Sequence, residues 1–169
     1  MLWPGPTRPG QALSTPGAEI GKERSMARWK QIVVGVDGSP SSRKALEWAG
    51  DEAAKHGADL VALTAYLAPA PPPSGVSVTL PTHGTPDHGE AAKQLLMETI
   101  RDVLGEDPPI LVRPHLKEGN AAKQLIDLAE GADVLVVGSR GHGGFAGMLL
   151  GSVSQNVAAH ARCTVVVVR

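Results

Sequence analysis

ADVLVVGSRGHGGFAGMLLGSVSQNVAAHA, residues 132–161, joins an apolar run to a short helix-like segment through the most glycine-rich stretch of the chain. Ala132 to Val137 reads as a buried strand. Residues 138–152 then carry six glycines, two serines and one arginine, with no acidic residue. Glycine at that density weakens any regular structure, so the stretch reads as a connection, with a helix starting near Gly151. Long connections of this kind are functional or structureless. Either this one holds a ligand, or it is a βα link without one.

The same strand-then-helix unit recurs on either side. Gln31 to Val36 is a short apolar strand, followed by Ser39 as N-cap and Pro40 at the first helical position. That helix runs to about His56, with Ala45, Leu46, Ala49 and Ala53 on one face, and Gly57 ends it. Asp59 to Leu67 is a second strand. A Pro-rich segment over 68–89 is a surface loop by composition. Glu90 to Leu104 is a helix with Ala92, Leu95, Leu96, Thr99 and Val103 in register, ended by Gly105 and Pro108-Pro109. Ile110 to Leu116 is a third strand, and Pro114 places it at a sheet edge. Asn120 caps a third helix carrying Ala121, Leu125, Leu128 and Ala129, closed by Gly131. Thr164 to Val168 is the fifth strand.

Nearly unbroken apolar strands alternating with helices predict an α/β fold, a parallel sheet covered on both faces. In such an open sheet the ligand crevice lies beyond the carboxyl ends of the strands, where strand order reverses. Two segments compete for it: GVDGS after the first strand and the glycine-rich stretch after the fourth.

Composition narrows the function. The 169 residues are 42% hydrophobic but only 3% aromatic, with a net charge of −1. The core is therefore aliphatic and the chain has room for one domain, expected over 29–169. A near-neutral balance excludes a basic nucleic-acid or membrane surface, and scarce aromatics argue against base stacking. The single cysteine, Cys163, forms no internal disulfide and reads as a small buried apolar side chain, which suits a reducing, cytoplasmic setting. No run is long enough to span a membrane. Residues 1–28 read as a disordered leader or a start assigned too early, since Met26 stands just before the first strand.

Two common phosphate motifs fail. GVDGSP lacks the dinucleotide spacing, and GMLLGS has neither the spacing nor the lysine of a Walker A loop. Gly138, Gly141 and Gly151 instead stand as G-x-x-G-x9-G-S. Gly138 at a strand end would let a flat ring or ribose approach, Gly141 would turn the chain, and Gly151 and Ser152 would open a helix whose unpaired N–H groups favour an anion. Ser152 and Ser154 add hydroxyls. Gly143, Gly144 and Gly147 supply slack. Asp37 lies at the carboxyl end of the first strand, where it would accept hydrogen bonds from an adenine amino group or ribose hydroxyls, sit near a metal, or cap the first helix. His142 reads as a solvated loop histidine, and His83, Asp87 and His88 match no strong zinc pattern.

IVVGVDGS, the alternating elements, G-x-x-G-x9-G-S and the final CTVVVVR together resemble the universal stress protein family, from about Lys30 to Arg169. The resemblance implies a five-stranded parallel sheet in the order 3-2-1-4-5 and the ATP-binding subclass. It implies that Asp37 contacts adenosine and that Ala65 lines the adenine pocket with its main chain. Val137 and Gly138 would approach base and ribose, while Arg140, Gly141, Gly151, Ser152, Val153 and Ser154 surround the phosphates, with Mg²⁺ held through those phosphates. It also implies a homodimer through Thr164 to Val168, an apolar edge that is a pairing hazard unless used or covered by the Pro-rich loop. A cradle without an evident base favours a nucleotide-dependent stress or signalling module with weak or no hydrolysis. A cyclic AMP-binding member of the family and a slow Mg²⁺-dependent ATP hydrolase are the alternatives.

Overall fold

The computed structural model describes residues 28–68, 88–143 and 149–169. Nearly all of the expected leader therefore lies outside the described residues. So do residues 69–87 of the Pro-rich loop, with His83 and Asp87, and residues 144–148, with Gly144 and Gly147.

Nine elements alternate along the chain: β1 (Gln31–Gly35), α1 (Pro40–His56), β2 (Asp59–Tyr66), α2 (His88–Leu104), β3 (Val112–Glu118), α3 (Ala121–Leu128), β4 (Val134–Gly138), α4 (Ser152–His160) and β5 (Thr164–Val168). The strands form one parallel sheet in the order β3-β2-β1-β4-β5, as expected. Several boundaries differ from expectation: β4 begins two residues later, at Val134, and β1 and β2 each end one residue earlier. α2 takes in His88 and Gly89, the last residues assigned to the loop, and β3 is displaced two residues toward the C-terminus.

Alternation along each strand divides the core between the two faces of the sheet. Ile32, Val34, Leu60, Ala62, Val134 and Val136 pack with Ala45, Leu46, Ala49 and Ala53 of α1 and with Leu96 and Ile100 of α2. Val33, Val61, Leu63, Leu135 and Val137 pack on the other face with Ala122 and Leu125 of α3 and Val157 of α4. Strands buried on both sides have no polar face to present, which is why they read as continuous apolar runs.

The two sheet edges differ. Leu60 N–H donates to Leu111 O at 2.9 Å, so in a parallel ladder the alternate residues Val112, Pro114 and Leu116 turn their main chain away from β2. Pro114 thus removes a donor from the free edge, and Arg113, Lys117 and Glu118 are exposed along the strand. β5 has neither proline nor charge over Thr164–Val168.

Among the described residues no helix is long and apolar enough to cross a membrane.

Candidate functional site

The chain runs β1, β2, β3 toward one edge and then returns to place β4 and β5 on the other side of β1. The reversal between β1 and β4 opens a crevice at their carboxyl ends. A cleft of about 420 Å³ occupies it, within the range of small-ligand sites. Both segments that competed for this place contribute. Asp37, from the β1–α1 turn, forms part of the wall. Val137, Gly138, Arg140 and Gly141, from the end of β4 and the segment after it, form another part. Gly151, Ser152, Val153 and Ser154 at the start of α4 complete that end, and Ala65 of β2 lies at the other. The structure thus brings every residue assigned to the site to one cleft.

The sequence reading did not single out several other wall residues, among them Gly35, Leu63, Ala121 and Leu125. Leu63 and Leu125 carry the same apolar periodicity as the core and also pack in it. The end of the cleft near Ala65 is consequently aliphatic.

The opposite end is built from main-chain amides. α1 and α3 are capped by side chains: Ser39 Oγ accepts from Ser42 N–H at 3.2 Å, and Asn120 Oδ1 accepts from Lys123 N–H at 3.0 Å. α4 has no such cap. Its N-cap is Gly151, in extended conformation and with no side chain to accept a bond. Gly151 N–H donates to Ser139 O at 2.7 Å, and Gln155 N–H donates to Gly151 O at 3.0 Å. Between them, the amides of Ser152, Val153 and Ser154 find no acceptor among the described residues. Unpaired amides and the positive end of the helix dipole favour an anion here. Arg140 stands exposed nearby, its guanidinium bonded to no described residue. The Ser154 hydroxyl, expected as a further donor to phosphates, is instead turned inward: it donates to Gly138 O at 2.8 Å and fastens α4 to the end of β4.

At two glycines of the motif an added Cβ would meet the chain itself. A Cβ on Gly138 would lie 2.7 Å from Ser41 C and 2.8 Å from Ser41 O, inside the backbone of α1. Gly141 does not turn the chain through a left-handed conformation, as Gly38 and Gly57 do. A Cβ there would collide with Asp37 Oδ2. Gly138 admits a helix and Gly141 admits a carboxylate.

Asp37 does not cap α1, since Ser39 does. Its Oδ1 accepts from Ser39 N–H at 3.0 Å. Burial pushes its carboxyl up, but hydrogen bonds from Ser39 and Ser42 and the nearby His142 outweigh burial and leave it below the ordinary carboxylate range. It is therefore an anionic, acceptor-only group at neutral pH, suited to hydroxyl or amino donors on a ligand.

Comparison with known proteins places these features in a lineage. The profile of the universal stress protein family matches residues 28–169. A universal stress protein of Mycolicibacterium smegmatis is 40% identical over 139 residues, 82% of this chain and 45% of the relative. Universal stress protein Rv2623 of Mycobacterium tuberculosis is also 40% identical over 139 residues, 82% of this chain and 44% of its own. The chain thus spans about half the length of the curated relatives it matches. Among solved structures, a universal stress protein in complex with cAMP is 30% identical, covers 85% of this chain and 98% of its own, and superposes with a TM-score of 0.63. Universal stress protein UspA from Lactobacillus plantarum shares the fold at 24% identity, with 85% of this chain and 99% of its own covered and a TM-score of 0.63.

Proposed function

The chain belongs to the universal stress protein family, and from that premise we propose that it is an ATP-binding stress-response or signalling module with weak or no hydrolysis. The observation that carries the reading is the uncapped start of α4, whose first three amides find no acceptor among the described residues and whose residues line one end of a cleft with an aliphatic far end. An elongated ligand with an anionic tail and a flat, weakly polar head fits that polarity. In this reading adenine lies against Ala65, Leu63 and Leu125, and Asp37 accepts from the adenosine. Val137 and Gly138 border base and ribose. The phosphates take the Ser152, Val153 and Ser154 amides, with Arg140, Gly141 and Gly151 around them, and Mg²⁺ is held through the phosphates.

The groups at hand support weak hydrolysis. Asp37 Oδ1 already accepts from the Ser39 amide, and His142 Nε2 lies 2.7 Å from Asp37 O, a carbonyl that can only accept. Nε2 therefore carries the proton and donates, so this nitrogen is not a free base for water.

Cyclic AMP is the second reading, favoured by the cAMP complex of the 30% identical structure. Calorimetric competition separates the two. ATP is expected to displace cyclic AMP, because a triphosphate satisfies more of the α4 amides than a cyclised monophosphate. Cyclic AMP binding that resists excess ATP would assign the cleft to the cyclic nucleotide.

The β5 edge supports a homodimer through Thr164 to Val168, since β3 carries Pro114 and charges whereas β5 carries neither. Sedimentation at micromolar concentration is expected to give twice the chain mass, and a monomer mass would remove this assignment.

A further inference from the structure

The segment from Arg140 to His142 is tied to the β1–α1 turn at two points. The Ser41 hydroxyl donates to Arg140 O. His142 Nε2–H donates to Asp37 O at 2.7 Å. Gly141 lies between these bonds, and a Cβ on it would meet the Asp37 carboxylate at Oδ2. The Ser39 amide holds the other oxygen of that carboxylate. The two walls of the crevice come from parts of the chain about a hundred residues apart, and His142 joins them by a side chain that is itself exposed.

We propose that His142 is a positioning residue: its bond to the Asp37 carbonyl fixes Asp37 and Gly141 in register with each other before any ligand arrives. The proposal rests on the reading of the cleft as a nucleotide site. His142 adds affinity by lowering the ordering that binding would otherwise require, not by touching phosphate. Its contribution is therefore the same for ligands with and without phosphates, and it needs an N–H at the Nε2 position rather than a charge. Glutamine can place an amide N–H at similar reach, whereas alanine cannot.

The test compares His142→Ala and His142→Gln by calorimetric titration with ATP and with adenosine, alongside amide hydrogen exchange of the ligand-free proteins. His142→Ala is expected to weaken both ligands by a similar factor, about tenfold for the loss of one hydrogen bond, and to speed exchange at Gly141 to Gly143. His142→Gln is expected to recover most of both. A loss confined to ATP would overturn the proposal in favour of direct phosphate contact. Unchanged exchange in His142→Ala would also overturn it. If the unaltered protein binds neither ligand, the nucleotide reading fails, and the exchange measurement decides alone whether His142 ties the two walls.

Discussion

Replacing Gly151 with aspartate is expected to reduce ATP affinity by about two orders of magnitude or more while leaving the fold intact, or stabler by a few tenths of a kcal/mol. The two effects have one cause. Gly151 stands at the N-cap of α4 with φ −75° and ψ 165°, ordinary extended backbone that any residue adopts. A Cβ there meets Arg140 Cα at 3.4 Å, an ordinary contact. Aspartate at this position accepts from the first-turn amides, as Ser39 and Asn120 do for α1 and α3, and so closes the gap in capping. It thereby takes the donors assigned to phosphate and adds a negative charge beside them. Two like charges about 4 Å apart repel by roughly 1 kcal/mol in water and roughly 4 kcal/mol near a protein surface. Loss of the anion–amide bonds adds to this. A surface mutation that stabilises a helix and destroys binding is hard to explain unless those amides belong to the ligand. Calorimetry with ATP and urea unfolding of the same sample check both halves, and Gly151→Ala, which keeps the amides open, is expected to bind more tightly than Gly151→Asp. Unchanged ATP affinity in Gly151→Asp would take the phosphates away from α4.

Gly138→Ala acts on a different link of the chain of causes. Its methyl group would enter the backbone of Ser41, and backbone cannot step aside as a side-chain tip can. The α1 N-terminus or the end of β4 must move, at roughly 1–3 kcal/mol. For a domain of this size that lowers the melting temperature by roughly 2–4 °C per kcal/mol. The displacement also strains the bond from Ser41 to Arg140 O, so ligand affinity falls with stability. Gly143→Ala is the matched control, because a Cβ there meets nothing within 4 Å among the described residues. Equal stability of the two variants in urea would contradict the contact between β4 and α1.

Much of this was legible in the sequence because several signals agreed locally. Ser39, Pro40 and Gly57 marked both ends of α1, and Gly57 takes the left-handed conformation expected of a helix stop. Doubly buried strands showed themselves as apolar runs. β3 was misplaced for the converse reason. It is an edge strand, so Lys117 and Glu118 lie in register with Ala65 and Tyr66 of β2 while remaining exposed. Apolarity located the strand too early, at Ile110, which packs against the core ahead of the strand. The site was legible through spacing rather than through the jobs of individual residues. Three glycines at fixed intervals lie along one cleft. Their separate roles depend on what lies opposite each: Ser41 backbone, the Asp37 carboxylate and open helix amides. Those neighbours come from distant parts of the chain and leave no local trace. Leu63, Ala121 and Leu125 were missed because an aliphatic cleft wall and an aliphatic core have the same pattern.

In the proposed function the α4 amides hold the phosphates of a nucleotide whose base lies toward β2. Parallel calorimetric titration of the unaltered protein with Mg²⁺–ATP and with adenosine tests it most directly. Saturable binding of one ATP per chain, at least tenfold tighter than adenosine, is the predicted result. Equal affinity for the two ligands, or no binding of ATP, would contradict it.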